Sequence, residues 1–293
     1  MYVRMKGIIM AGGKGTRLSP LTFATSKQML PVYDKPLIYY PLSILMLCNI
    51  REILIISSPD EIGIIENLFG NGSNLGLSIQ YKPQNDPSGI ADGINISSSY
   101  IKDDKFALIL GDNIFHGPNL YDQLRNYSSE PGATIFAYKV KTPGRYGVVE
   151  LDNKKRPISI EEKPINPKSD FAITGLYFFD TNAIEYAFSL TPSLRGELEI
   201  TDVLKDYMAR KLLNVKILEV GTTWLDAGTP ESLHDAGTYV RIIEERQGIK
   251  IACLEEIAFK NKWISIEDLK QIVNSNPNSE YFTYLQNFIL SVS

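Results

Sequence analysis

Three stretches of the chain combine the residue types that phosphate chemistry needs. In Gly12-Gly13-Lys14-Gly15-Thr16-Arg17 a glycine-rich loop follows an apolar run. With no Cβ in the way, several backbone N–H groups of such a loop can converge on one phosphate. The pattern G-x-x-x-x-G-K-[ST] fails because Lys14 lies between glycines, and G-x-G-x-x-G fails because Leu18 stands at the third glycine. What remains is a loop followed by two cations, Arg17 and Lys27, a pair suited to holding and neutralising a polyphosphate. The second stretch, Leu110-Gly111-Asp112-Asn113, ends an apolar run in a carboxylate. Ligands collect at the carboxyl ends of strands in open α/β sheets, so Asp112 is placed to hold Mg2+. The third, Trp224-Leu225-Asp226-Ala227-Gly228-Thr229-Pro230, offers another carboxylate between a strand and a helix. Taken singly, the loop also reads as a surface turn and each Asp as a turn or cap residue.

The elements that must position these residues follow from local pattern. Gly7–Met10, Ile53–Ile56, Ser78–Tyr81 and Phe106–Leu110 read as strands, and Leu37–Asn49 and Ile90–Tyr100 as helices. Ser58 and Pro59 mark the start of another helix, with Ser58 as N-cap, and Gly70 marks its end. Continuous apolar strands alternating with helices imply a mostly parallel sheet covered on both faces in an α/β architecture. The next part is richer in strands, at Val148–Leu151, Ile158–Glu161, Ile173–Phe179 and Val215–Val220, with helices at Ala183–Leu190 and Thr201–Lys211. Thr229 caps a helix that Pro230 begins and that runs to about Arg246; Ser265 starts another, and Glu280–Val292 forms the last.

Composition narrows the function classes. The 293 residues carry 30 Lys+Arg against 34 Asp+Glu, a net charge of −4, which argues against a general nucleic-acid or anionic-membrane binder. Hydrophobic residues at 44% and charged residues at 22% exclude a disordered or fibrous chain. The two cysteines, Cys48 and Cys253, each flanked by apolar residues, can form neither a disulfide framework nor a zinc site and read as core thiols. The apolar run before Gly12 is too short for a signal peptide, and Leu37–Ile50 is too short and too polar to span a bilayer, so a soluble cytoplasmic protein is expected.

Taken together, these stretches resemble the sugar-1-phosphate nucleotidyltransferases over essentially the whole length. The resemblance rests on Gly12–Leu18, Ser26–Pro36, Gly111–Asn113, Arg145–Glu150, Glu161-Glu162-Lys163-Pro164, Thr174–Tyr177, Arg195–Asp202 and Trp224–Thr229. It implies a Rossmann-like, mostly parallel mixed sheet sandwiched by helices, of the nucleotide-diphospho-sugar transferase type, with a C-terminal helical appendage. The division it implies is a catalytic domain over 1–240, with a nucleotide-binding part at 1–115 and a sugar-binding part at 116–240, then a helical segment at 241–293 for oligomer contacts and regulation. It further implies in-line attack of glucose 1-phosphate on the α-phosphorus of dTTP, giving dTDP-glucose and pyrophosphate, the first step toward dTDP-deoxysugars of the rhamnose type. On this basis Arg17, Lys27, Asp112 and Asp226 carry the chemistry, and Asp112 and Asp226 hold Mg2+. Gly12, Gly13, Gly15, Thr16, Arg17, Lys27, Gln28, Gln84, Gly89 and Asp112 hold the nucleotide, and Tyr146, Gly147, Glu162, Lys163, Ile173, Thr174, Gly175 and Trp224 the sugar phosphate. In the segment expected to read the pyrimidine, Ser88 and Asp92 stand where relatives commonly carry Asp and Gln, so the choice between dTTP and UTP stays open. A homotetramer and a second site for an end-product nucleotide sugar are implied by the tail, without named regulatory residues.

Overall fold

The structure is a computed structural model that describes residues 5–13, 15–127, 130–276 and 279–292, so Lys14 of the glycine loop lies outside the described residues. The first half alternates β1 (Met5–Met10), the short hairpin β2 (Pro31–Val32) and β3 (Lys35–Pro36), α1 (Tyr39–Leu47), β4 (Glu52–Ser57), α2 (Pro59–Phe69), β5 (Ser78–Pro83), α3 (Ile90–Ile101) and β6 (Lys105–Leu110). Then come β7 (Asn113–His116), α4 (Leu120–Tyr127), β8 (Ala133–Lys139), β9 (Gly147–Leu151), β10 (Pro157–Glu162), β11 (Phe171–Phe179), α5 (Asn182–Ser189), α6 (Ile200–Ala209), β12 (Leu213–Ile217) and β13 (Thr223–Asp226). Four helices end the chain: α7 (Pro230–Gln247), α8 (Leu254–Lys260), α9 (Ile266–Ser275) and α10 (Glu280–Val292).

The main sheet runs β10-β9-β11-β6-β1-β4-β5, with β8 also paired to β11 and β12 paired to β8. Strands β6, β1, β4 and β5 are parallel to one another, whereas β11 meets β6, β8 and β9 antiparallel. Side-chain alternation covers both faces of the sheet. Ile9, Ile53 and Ile55 face one core with α1 and the C-terminal helices, while Ile8, Leu54 and Ile56 face another with α3, α5 and α6. Cys48 and Cys253 are reduced thiols buried in the first of these cores. A smaller third core surrounds β2, β3 and α7. There the hairpin is fastened by buried charge: Lys35 Nζ meets Glu244 Oε1 at 2.9 Å, Lys250 Nζ meets Glu244 Oε2 at 2.7 Å, and Asp34 pairs with both lysines.

The sequence patterns anticipate most of these elements, with Pro59 opening α2 and Gly70 closing it at φ 55°. Ser58 occupies the N-cap, yet its side chain makes no capping bond to the backbone. The full reciprocal capping box appears instead at Thr229 and at Ser265. Three readings are corrected. The helix expected from Leu37 begins only at Tyr39, because Lys35 and Pro36 are held in the hairpin. The strand expected to reach Val220 stops at Ile217; Thr222 N closes a turn on Glu219 O, and Val220 is fully exposed in it. The stretch Trp224–Asp226, read as a connection, is itself strand β13, paired antiparallel to β7 with Asp226 opposite Asn113.

Candidate active site

The parallel strands deliver one half of the site at their carboxyl ends, as open α/β sheets do. Ala11 N bonds Ile56 O, Gly111 N bonds Met10 O, and Gln84 N bonds Ser57 O, so the loops after β1, β6 and β5 leave the sheet together. They enclose a cavity of about 230 Å³ lined by Gly12, Gly13, Lys27, Gln28, Gln84, Gly89, Leu110 and Asp112. Gly13 has φ 110°, a conformation closed to most L residues. Gly89, at φ 103°, passes so close to the backbone of Leu198 that a Cβ would lie 2.4 Å from its carbonyl oxygen. Lys27, on a single turn of 3-10 helix leading into the β2–β3 hairpin, is 8% exposed and ion-pairs with Asp112.

A second cavity of about 160 Å³ shares Ile90, Leu110 and Asp112 with the first and is lined further by Arg17, Arg145, Tyr146, Gly147, Glu162, Lys163, Ile173, Gly175, Trp224 and Asp226. Its floor is organised by Asn113. The buried Asn113 amide donates to Asp112 Oδ1 at 2.7 Å, and its Oδ1 accepts from Gly175 N at 3.0 Å and from Trp224 Nε1 at 2.6 Å. One side chain therefore fixes Asp112 against β11 and β13. The Trp224 ring meets Tyr146 edge-on with centroids 5.0 Å apart, and Tyr146 donates its hydroxyl to Asp226 Oδ1 at 2.7 Å. Arg145 Nη2 lies 3.8 Å from Asp226 Oδ2, and the Arg17 guanidinium and Asp226 both crowd Gly228. At the other wall Glu162 faces Arg195 at 3.4 Å and Lys163 at 3.7 Å.

The two aspartates are driven in opposite directions. Burial works against ionising Asp112, but the Lys27 ammonium and the Asn113 amide outweigh it and hold the carboxyl below the ordinary range. Burial raises Asp226, and the negative charge of Asp112 raises it further, against the pull of Tyr146, Arg145 and Lys27. Burial likewise raises Glu162, with Glu199 adding to the shift and Lys163 and Arg195 opposing it. Two carboxylates that repel across β7 and β13 form an oxygen donor set in which Asp226 still lacks full compensation. Among the described residues no cluster of three or more His, Cys, Asp or Glu side chains could hold a metal ion. Mg2+ needs no such cluster, because it takes one or two carboxylates and completes its shell with phosphate oxygens and water. The pair Asp112 and Asp226 fits that ion.

Not every expected residue reaches the cavities. Ile173 and Gly175 line the second one, so Thr174 between them on β11 points to the opposite face. It is fully buried there, and its Oγ1 has no partner among the described residues. Gly15 and Thr16 lie outside both cavities, Gly15 serving at φ 55° as the turn that starts the Thr16–Leu18 helix. Arg17 borders the second cavity and not the one around the glycine loop. Sequence reasoning assigned no role to Asn113, Arg145, Arg195 or Glu197. For Asn113 the signal was an amide opening the apolar run Ile114-Phe115 directly after Asp112.

This fold and this pair of cavities define a nucleotidyltransferase. The chain belongs to the nucleotidyl transferase family, whose family model matches residues 6–241. Within that family it resembles proteins named glucose-1-phosphate thymidylyltransferase. One from Neisseria meningitidis serogroup A is 50% identical over 282 residues, covering 96% of this chain and 98% of the relative. One from Mycobacterium tuberculosis is 48% identical over 281 residues, covering 96% and 98%. A crystal structure of a Bacillus anthracis protein assigned to the same activity and complexed with sucrose matches with a TM-score of 0.76 and 38% identity, over 81% of this chain and 95% of that one. A UDP-glucose pyrophosphorylase complexed with UDP-glucose, 23% identical with a TM-score of 0.71 over 81% of this chain and 98% of that one, shares the fold.

Proposed function

We propose that this protein transfers a thymidylyl group from dTTP to glucose 1-phosphate, releasing pyrophosphate and forming dTDP-glucose. The observation that carries the reading is that two cavities, one bounded by the glycine loop and one by Glu162 and Lys163, meet at Asp112. The relatives' names supply the substrates. Phosphoryl-type transfer needs little covalent help; it needs two anions held together with their charge neutralised and their geometry fixed. Gly12 and Gly13 leave room for a triphosphate against the backbone, and Lys27 neutralises charge near the α-phosphate. Lys163, Arg145 and Arg17 draw in the sugar phosphate and the departing pyrophosphate. Glu162 accepts from sugar hydroxyls while Trp224 and Tyr146 wall the ring. Asp112 and Asp226 would hold Mg2+, which when bound neutralises and orients non-bridging phosphate oxygens.

The test is pyrophosphate release with glucose 1-phosphate and each of the common nucleoside triphosphates in the presence of Mg2+. Fastest release with dTTP supports the reading. Faster release with UTP overturns the thymidylyl assignment, and no release with any sugar phosphate overturns the activity.

The finer reading places the enzyme in the cytoplasm at the first step toward dTDP-deoxysugars, as a homotetramer with feedback by the end-product nucleotide sugar. It keeps residues 1–240 as the catalytic unit, in nucleotide (1–115) and sugar (116–240) parts, with 241–293 supplying oligomer contacts. Two facts support it. No helix among the described residues is long and apolar enough to cross a membrane. A separate cavity of about 440 Å³, between α1 and residues 249–261, is lined by His116, Lys250, Glu256 and Lys260. Native mass measurement checks the tetramer, and inhibition by dTDP-rhamnose checks the feedback.

A further inference from the structure

We propose that Asp92 sets the base specificity of the nucleotide cavity by fixing which end of the Gln84 amide faces the base. Gln84 is 8% exposed and lines the cavity directly after β5. Its Nε2 donates to Asp92 Oδ2 at 2.8 Å and to Gly89 O at 3.2 Å. Both partners are pure acceptors, since an ionised carboxylate and a carbonyl have no hydrogen to give. Turning the amide over would set Oε1 against two oxygens and leave both half-buried acceptors without this donor, so this orientation follows from the chemistry of the neighbours. Asp92 lies in the first turn of α3, where the helix dipole favours a negative charge.

The consequence is a cavity wall of one polarity. Gln84 Oε1 has no partner among the described residues and is directed toward Gly12, where a Cβ would stand 3.3 Å from it. A base edge meeting this oxygen must donate. Thymine and uracil present an imide N3–H, whereas cytosine presents a lone pair at N3 and donates only from its exocyclic N4 amino group, so a base held with N3 against this oxygen is accepted as thymine or uracil and refused as cytosine. This inference rests on the reading that the pyrimidine of a nucleoside triphosphate occupies the cavity, and it makes Asp92 a positioning residue that acts through Gln84 to reject cytosine.

The test compares kcat/KM for dTTP and dCTP, with saturating glucose 1-phosphate and Mg2+, in the wild type, Asp92→Ala and Asp92→Asn, alongside each protein's melting temperature. In Asp92→Ala the Gln84 amide keeps only the longer bond to Gly89 O and turns more readily to offer its NH2 group to cytosine. The dTTP-to-dCTP ratio then falls by at least about tenfold, mainly through KM, because a polar mismatch is the strongest lever such a site has. Asp92→Asn, whose amide accepts in only one of its two orientations, shows a smaller fall. A ratio unchanged in both variants, or equal loss with both nucleotides, overturns the role of Asp92 while leaving the thymidylyl reading intact. A wild type that prefers dCTP overturns the inference through that reading itself.

Discussion

At the scale of single residues, Asn113 does the most with the least chemistry. It never needs to touch a substrate, yet its amide ties Asp112, Gly175 and Trp224 to one point. In the proposed reaction the charged residues around it carry the chemistry. Lys27→Ala and Arg17→Ala should each lower turnover by roughly 10²–10³, the cost of losing one transition-state donor, as measured by pyrophosphate release. Asp226 adds a pH signature. Its carboxyl is raised by burial and by Asp112, and Mg2+ would oppose that shift when bound, so rising Mg2+ should move the acid limb of kcat/KM to lower pH. An acid whose folded pKa is raised binds its proton more tightly in the folded state, so its ionised form costs stability at neutral pH. Asp226→Asn should therefore raise the melting temperature at pH 7 while reducing turnover by about 10² or more. Much of this was legible in the sequence, because Lys27, Asp112, Glu162 and Asp226 stand in short, distinctive runs. Thr174 was not, although strand alternation already forbids it from sharing a face with both Ile173 and Gly175.

At the scale of elements, the site depends on pieces whose pairing is remote in sequence. The β7–β13 ladder joins residues 113–116 to 223–226, and no local periodicity announces a four-residue pairing over that distance. Strand β11 was legible from its apolar run, but its antiparallel insertion beside β6 was not. The hairpin that follows Lys27 is held the same way, by Lys35, Asp34, Glu244 and Lys250. Glu244→Ala leaves two buried ammonium groups to share Asp34 alone and should cost about 3 kcal/mol in denaturant unfolding, the low end for a broken buried pair. The pH dependence of this network follows from Asp34. Burial opposes its ionisation, but Lys35 and Lys250 win and lower its carboxyl. Its contribution is complete above the unfolded value of about 3.9 and disappears as pH falls through the lower folded value. Lys250, pushed up to about 12 by Asp34 and Glu244 against the opposing effect of burial, keeps its share until strongly alkaline pH.

At the scale of the whole molecule, the two halves of the catalytic region share one sheet, since β11 from the second half pairs with β6 from the first. The C-terminal helices are equally continuous with it. Leu254, Ala258, Leu269, Val273, Leu285 and Ile289 belong to the same buried cluster as Ile9, Ile55 and Ile109 of the central strands. Helix α10 also completes a polar seam: Tyr281 donates to the buried Glu255, whose carboxyl burial already raises, and Tyr284 donates to Glu256. A chain ending at residue 278 loses both phenols and the buried Leu285 and Ile289 of α10, the last two each worth about 1.5–3 kcal/mol. It should melt well below the full-length protein by calorimetry. A premature stop at codon 279 would thus leave every proposed substrate-facing group in place and still weaken the fold, by uncovering α9 and leaving Glu255 without its phenol.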